Sequence, residues 1–279
     1  MKIGNSICYA GLALMLSSAS SFAQENYADK ATVPFSDPSR PGTVKVGLVA
    51  GSITVKGYAG KEVIVEAQGR TDGRSKGRSR PEPEGLKRIP NTASGLNVEE
   101  ENNVITVGTS SFNKPVDVTL QVPFHTSLKL KTINDGNIQV EQVEGEIEVN
   151  NINGAVTLTN VSGSVVAHAL NGNVVVSLGK VDPAKSMSFS SLNGNIDVTF
   201  PADTKATVAM KSDQGEIYSD FDIHMDQTGH KPVVEDTRGK GGAYRFRIDK
   251  TMYGTINGGG PEMQFKTFNG SIYIRKKTK

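Results

Sequence analysis

The chain of 279 residues carries 31 basic and 29 acidic side chains, and this near balance excludes a protein that binds polyanions through its overall charge. Its one cysteine, Cys8, lies near the start of the chain, so the remainder can form neither disulfides nor thiolate metal sites. The 30 glycines and the absence of tryptophan are typical of short strands joined by tight turns.

Residues 1–23 have the pattern of a secretory signal peptide. Lys2 supplies the positive start, residues 7–16 are apolar, and residues 21–23 (Ser-Phe-Ala) form a small-x-small cleavage site. No later segment approaches the roughly 20 apolar residues of a membrane span. We therefore expect a bacterial protein that is exported to the periplasm, to the cell surface or to the medium.

The segment after the signal is predicted to be a polar lead-in, residues 24–43, which contains three prolines. Apolar and polar residues then alternate from Val44, which predicts short β-strands up to the repeat described below. One segment, residues 69–90, breaks this alternation because it is rich in charge and almost without apolar residues. It contains seven basic residues, Arg70, Arg74, Lys76, Arg78, Arg80, Lys87 and Arg88. This insertion is either a solvated loop or a local site for an anionic partner.

The centre of the chain has a nine-residue repeat. Glycine recurs at Gly136, Gly145, Gly154, Gly163 and Gly172. The third and fifth places of each unit are apolar, and the eighth place holds Val143, Ile152, Val161 and Leu170. A unit of this length fits one strand of about five residues plus a turn, with the third, fifth and eighth places facing the core.

The residue before glycine suggests how the units pack. Aspartate or asparagine stands there in every second unit, so the similarity is strongest at a spacing of 18 residues. The predicted turn residues are Asp135, Gly136, Gly145, Asn153, Gly154, Gly163, Asn171, Gly172, Asn193, Gly194, Asn269 and Gly270. This spacing favours an all-β, single-domain parallel β-solenoid with about 18 residues and two short strands per coil, whose open edges are covered by the two ends of the chain. An antiparallel meander or sandwich is the alternative.

The repeat is stretched but not lost after residue 179. It returns at residues 192–198 and at residues 267–274, with a second polar insertion predicted at residues 219–242. No segment has a sustained 3.6-residue apolar period, so no helix is predicted. Residues 44–279 are thus expected to form one solenoid domain with two insertions.

The Asn-Gly turns resemble the Thr-x-Asn-Gly motif of the bacterial putative adhesin family, which is also described as a toast-rack or head-domain adhesin-like family. The matching positions are residues 132–136, 151–154, 170–172, 192–194 and 268–270. The resemblance implies an exported β-solenoid with an adhesive role. The chain departs from the family motif because most glycines are followed by residues other than aspartate, such as Asn137 and Asn195.

No catalytic or metal motif accompanies the repeat. Calcium-binding nonapeptides need recurring aspartates, which these turns lack. Asp222, His224, Asp226 and His230 could in principle hold a divalent cation, but their polar context is that of a solvated loop. The sequence predicts no cofactor and no nucleic-acid partner. It favours a non-enzymatic adhesin-like or envelope-scaffold protein that contacts a polysaccharide or a protein, with a carbohydrate-active β-helix enzyme as the alternative.

Overall fold

The computed structural model describes most of the chain after the predicted signal peptide. The described residues are 28–70, 94–110, 114–226, 232–236, 244–248 and 250–278. The signal peptide and all but the first residues of the basic insertion therefore lie outside the described residues. Within the described residues every regular element is a β-strand.

The strands are numbered in chain order. They are β1 Asp29–Pro34, β2 Gly42–Ala50, β3 Ile53–Tyr58, β4 Glu62–Gly69, β5 Leu96–Glu101, β6 Val104–Thr109, β7 Val116–Pro123, β8 Thr126–Asn134, β9 Ile138–Glu141, β10 Glu144–Asn153, β11 Val156–Asn171, β12 Val174–Val181, β13 Met187–Asn193, β14 Ile196–Phe200, β15 Ala206–Gln214, β16 Ile217–Ser219, β17 Ile223–Met225, β18 Pro232–Asp236, β19 Tyr244–Ile248, β20 Met252–Ile256, β21 Glu262–Asn269 and β22 Ile272–Lys276. All of them except the β18–β19 hairpin belong to one hydrogen-bonded network.

This network forms two facing sheets. Strand β11 belongs to both of them because it continues around a corner of the solenoid. The front sheet has the order β5-β6-β2-β8-β10-β11-β13-β21-β15-β20-β17, with residues 162–171 of β11. The back sheet has the order β1-β4-β7-β3-β9-β11-β12-β14-β22-β16, with residues 156–161 of β11. Equivalent strands of successive coils pair in parallel, so the parallel β-solenoid is confirmed and the meander is not the fold.

The predicted two-strand coil is seen in the register of the strands. Ile147 of β10 lies beside Val165 of β11, and Val156 of β11 lies beside Val174 of β12. Each partner is one coil of 18 residues further along the chain. Like residues therefore stack on like residues, as the doubled repeat predicts.

The third and fifth places of the repeat fill the space between the two sheets. Ile138, Val140, Val156 and Val174 are completely buried. Burial of one such side chain contributes roughly 1.5–3 kcal/mol. Further along the solenoid, Phe189 and Phe265 of the front sheet stack at 5.2 Å between ring centroids, and both meet Phe200 of the back sheet edge-on.

The eighth place was predicted to face the core in every unit, and this is wrong for half of them. Val143 and Val161 are fully buried, whereas Ile152 and Leu170 are partly exposed on the outer face of the front sheet. The backbone explains the difference. Gln142 and Asn160 adopt positive φ values of 55° and 51°, and these kinks reverse the in-out alternation before Val143 and Val161. No kink precedes Ile152 or Leu170, so strict alternation places both side chains outside.

The coils at both ends of the solenoid are interleaved in chain order. The coil β2–β3 lies between the coils β6–β7 and β8–β9 in both sheets. In the same way the last coil, β21–β22, lies between the coils β13–β14 and β15–β16. The expectation that the chain end covers an open edge is therefore wrong for the C-terminal coil, which is internal.

Both predicted polar segments contribute strands. Within the lead-in 24–43, strand β1 pairs antiparallel with β4 and forms one edge of the back sheet. Within the insertion 219–242, β17 pairs with β20 at one edge of the front sheet, and β18 forms a hairpin with β19. Edge strands of this kind cover backbone groups that would otherwise be unpaired.

A column of glycines runs along one corner of the solenoid. It comprises Gly51, Gly136, Gly154, Gly172, Gly194, Gly270 and Gly215. A Cβ atom at Gly172 would lie 2.1 Å from the carbonyl oxygen of Gly154. This distance is too short for any non-bonded contact, so no residue with a side chain fits here. Gly172 itself has no positive φ. The close approach of adjacent coils, and not a left-handed turn, therefore requires glycine at this position.

Asparagines form a hydrogen-bonded ladder beside this column. The side-chain amides donate from Asn153 to Asn134, from Asn171 to Asn153, from Asn193 to Asn171 and from Asn269 to Asn193, at 2.8–2.9 Å. The coil β8–β9 places Asn134 in the ladder, whereas Asp135 is an extra residue before Gly136 with a φ of 55°. The side chains of Asn153, Asn171, Asn193 and Asn269 are thus used to join adjacent coils.

The first residue of the Thr-x-Asn-Gly motif binds the next coil. Thr132, Ser191 and Thr267 are buried and donate hydrogen bonds of 2.8–2.9 Å to the carbonyl oxygens of glycines in the adjacent coil. Asn151 takes the same place and donates from Nδ2 to Gly136, but its buried Oδ1 has no partner among the described residues. The first residue of the motif therefore joins adjacent coils through a side-chain hydrogen bond to a glycine carbonyl.

Candidate binding surface

A stripe of apolar side chains, here called the apolar stripe, crosses the outer face of the front sheet beside the asparagine ladder. Register places its members side by side on successive strands: Val49, Ile133, Ile152, Leu170, Leu192 and Phe268. Val49, Leu192 and Phe268 are 38%, 41% and 43% exposed, and the other three are partly exposed. Neighbouring members are about 4.8 Å apart because that is the spacing of paired strands.

The apolar stripe occupies the second place of the Thr-x-Asn-Gly motif. In each coil the preceding residue faces the core and the following asparagine joins the ladder, so the residue between them must face outward. The sequence signal was therefore present: the middle residue is apolar in all five copies, at positions 133, 152, 170, 192 and 268. The prediction that the eighth place faces the core is incompatible with this stripe, because Ile152 and Leu170 are eighth-place residues.

The outer face of the back sheet has a different character. Its equivalent outward column contains Thr54, Gln139, Thr157 and Asp197, with Val175 as its aliphatic member. At its end Tyr273 stacks on Tyr218 at 5.2 Å, and Arg275 pairs with Asp197. A continuous apolar stripe is thus a property of the front sheet among the described strands, and contiguous exposed apolar surface typically marks an interaction site.

One end of the apolar stripe opens into a groove of about 610 Å³. The groove runs along β13, where Ser188 and Ser190 are small outward residues. Larger side chains of β11 and β21 flank them: His168 and Leu170 on one side, and Gln264, Lys266 and Phe268 on the other. The width between β11 and β21 is about 10 Å, two strand spacings. A volume of this size is within the usual range for small-molecule sites.

Polar groups in the groove are only partly used by the protein. His168 shares a hydrogen bond of 2.8 Å between Nδ1 and the Ser190 hydroxyl, which leaves Nε2 without a partner among the described residues. The Ser188 hydroxyl donates to Oε1 of Gln264 at 3.4 Å, which leaves the Nε2 amide of Gln264 as a donor. The groove therefore offers both hydrogen-bond donors and acceptors beside an apolar end.

The charge of the groove is positive. Lys211 and Lys266 line it, and its one carboxylate is Asp213. Lys266 is exposed and makes no ion pair with any described residue. In the same outward column, Lys131 lies four strands away from Lys266, beyond Ser190, His168 and Asn150. This column carries cations and no acid, and it runs directly beside the apolar stripe.

The basic insertion is described only at its start. Arg70 donates two hydrogen bonds to the carboxylate of Asp117, and it also bonds the Ser52 hydroxyl and the backbone carbonyl of Asp135. Its guanidinium thus joins β7 to the turns of two other coils. The other six basic residues lie outside the described residues, so polyanion binding by the insertion stays a prediction.

The histidines of the described residues are dispersed. His125 lies 3.2 Å from Glu144 at one corner, His168 lies in the groove, and His224 is exposed on β17. His230 lies outside the described residues. Within the part of the chain that is described, no group of three or more metal-ligating side chains converges. No helix in that part could span a membrane.

The family model of Toastrack DUF4097 matches residues 91–257, more than half of the chain. The chain belongs to the Toastrack DUF4097 family. The matched residues include all the asparagines of the ladder except Asn269, which lies in the inserted coil β21–β22. The family resemblance predicted from the Thr-x-Asn-Gly motif is confirmed.

Three solved structures are similar to this Toastrack chain. A putative cell adhesion protein from Clostridium sporogenes is 11% identical with a TM-score of 0.43, and the match covers 90% of this chain and 100% of that one. A putative adhesin from Bacteroides fragilis is 13% identical with a TM-score of 0.31, and the match covers 90% of this chain and 97% of that one. A putative adhesin from Parabacteroides merdae is 10% identical with a TM-score of 0.27, and the match covers 91% of this chain and 98% of that one. No curated protein matches the chain.

Proposed function

We propose that this Toastrack protein is an exported, non-enzymatic binding protein that uses the outer face of its front sheet for adhesion or for scaffolding in the cell envelope. The apolar stripe carries this proposal. Six apolar side chains stand in register across successive coils, and the solenoid holds them at fixed intervals. Such a surface suits an extended partner.

The exported location rests on the predicted signal peptide, and the adhesive role rests on the resemblance of the Asn-Gly turns to the bacterial putative adhesin family. The groove favours binding over hydrolysis. Glycoside hydrolysis by the usual mechanisms requires two carboxyl groups on either side of the scissile bond. The groove has one, Asp213, among the residues that line it.

The adsorption of purified protein to isolated cell envelopes of the source organism tests this proposal. Leu192→Asp places a charge in the apolar stripe, and Val175→Asp places one on the back sheet at a position with the same 41% exposure. We expect Leu192→Asp to reduce adsorption by about tenfold, since an unpaired charge must be desolvated on binding, and Val175→Asp to leave it unchanged. Equal adsorption of both variants, with circular dichroism showing intact folds, would contradict the proposed function.

A further inference from the structure

We propose that the groove along β13 binds a short segment of an acidic polysaccharide. In this complex Lys266 pairs with a uronate carboxylate, and the ring of Phe268 packs against the apolar face of a sugar. This inference rests on the proposed function of the front sheet and specifies the partner at one end of the apolar stripe.

The backbone of the groove does not favour a peptide. An extended peptide adds to a sheet through unpaired N–H and C=O groups at a strand edge. Strand β13 forms the floor, and it is paired on one side with β11 and on the other with β21. A ligand in this groove therefore meets side chains only.

The mixture of side chains does not favour an acyl chain either. Ser188, Ser190, Gln264 and His168 present hydroxyl, amide and imidazole groups along the groove. Hydroxyl groups of a sugar both donate and accept hydrogen bonds, so they match the free Nε2 atoms of Gln264 and His168. A hydrocarbon chain would leave these polar groups without partners.

The apolar end fits the same ligand. Phe268 is 43% exposed and stands next to Leu192, which is 41% exposed. A pyranose ring has a C–H face that packs on a flat aromatic ring, while its hydroxyls remain at the rim. Binding sites of this kind combine an apolar wall with a few placed polar groups.

The charge selects an acidic sugar over a neutral one. Lys266 is exposed and has no ion pair with any described residue, so its ammonium is available for a carboxylate. Such a pair forms a charge-assisted hydrogen bond, which is stronger than a neutral one. We therefore expect discrimination between uronate and neutral oligosaccharides of equal length.

Calorimetric titration with trigalacturonic acid and, as the neutral comparison, maltotriose tests this inference. Lys266→Gln should weaken the binding of trigalacturonic acid by about tenfold, because a charge-assisted bond is lost. Lys131→Gln is the matched control, since it removes a lysine from the same outward column four strands away, and it should change the affinity by less than about twofold. Phe268→Leu keeps the apolar stripe but removes the ring, and it should weaken binding by about fivefold.

The results separate this inference from the proposed function. The inference is overturned if trigalacturonic acid fails to bind, if it binds no better than maltotriose, or if Lys266→Gln and Lys131→Gln have equal effects. The proposed function survives any of these results provided that Leu192→Asp still reduces envelope adsorption by about tenfold while Val175→Asp leaves it unchanged. It fails separately if the two aspartate variants adsorb equally.

Discussion

The side-chain amide of Asn193 donates a hydrogen bond of 2.8 Å to the side-chain oxygen of Asn171, although the two residues are 22 positions apart in the chain. Asn171 in turn donates to Asn153 at 2.9 Å, 18 positions earlier. The unequal spacing shows that extra residues are accommodated in the loops while the ladder keeps its register. The ladder therefore fixes how coils of different length stack.

The ladder predicts a position-dependent loss of stability. Asn171→Ala removes two side-chain hydrogen bonds, whereas Asn134→Ala removes one because Asn134 lies at the end of the ladder. At about 0.5–1.5 kcal/mol per bond, the unfolding free energy should fall roughly twice as far for Asn171→Ala. Chemical denaturation measures both values, and equal losses would show that the bonds do not contribute individually.

The glycine column predicts intolerance of even one methyl group. Gly172→Ala would bring Cβ to 2.1 Å from the Gly154 carbonyl oxygen, whereas a Cβ at Gly47 meets nothing within 4 Å. We expect Gly172→Ala to lower the unfolding free energy by about 3 kcal/mol or more, and Gly47→Ala to change it by less than about 0.5 kcal/mol. Thermal denaturation compares them, and similar melting temperatures would place the coils further apart than described.

The buried Oδ1 atom of Asn151, which is unpaired among the described residues, indicates a position where a substitution should stabilise the protein. Thr132 and Thr267 at equivalent places bond a glycine carbonyl through a hydroxyl. Asn151→Thr should raise the unfolding free energy by about 1 kcal/mol, because the cost of an unsatisfied polar atom is removed. A fall in stability on denaturation would mean that the second Asn151 bond, to Ala155 at 3.2 Å, matters more.

Glu100 predicts a pH-dependent contribution at the β1–β5 end of the molecule. The Ser36 hydroxyl, together with the backbone N–H groups of Ser36 and Asn103, holds the pKa of Glu100 below its ordinary value of 4.5. A depressed pKa in the folded state stabilises the protein above the ordinary pKa, and this contribution is lost as the pH falls through the folded value.

Glu100→Gln should therefore melt at a lower temperature than the wild type at pH 7, and the difference should shrink as the pH is lowered below 4.5. Glu101→Gln is the control on the same strand, because the Glu101 side chain makes no hydrogen bond to any described residue. A difference for Glu100→Gln that stays constant with pH would contradict the assigned role of its charge.

Local periodicity was sufficient to predict the coil. Alternation placed Ile138 and Val140 in the core, and the spacing of Asn153 and Asn171 predicted that like positions stack. Both inferences depend on the period of side chains along a strand, which the sequence displays directly.

The interleaved ends could not be predicted in this way. Asn269 bonds Asn193 across 76 positions, and no local pattern specifies which coil the last one will join. The groove cannot be predicted from the sequence either. It forms because small residues of β13 lie between larger residues of β11 and β21. The pairing of β13 with β21 is itself non-local, so no local pattern indicates it. Non-local pairing of this kind is set by the whole fold.

The most direct test of the proposed binding face is site-specific protection. With Cys8 replaced by serine, single cysteines at Leu192→Cys and Val175→Cys report on the front and back sheets from positions that are equally exposed in the wild type. The rate of maleimide labelling is measured for each variant, free and adsorbed to cell envelopes. We expect labelling at position 192 to slow by about tenfold on adsorption, since a buried interface excludes the reagent, and labelling at position 175 to be unchanged. Protection of position 175 alone, or equal protection of both, would contradict the assignment of the front sheet as the binding surface.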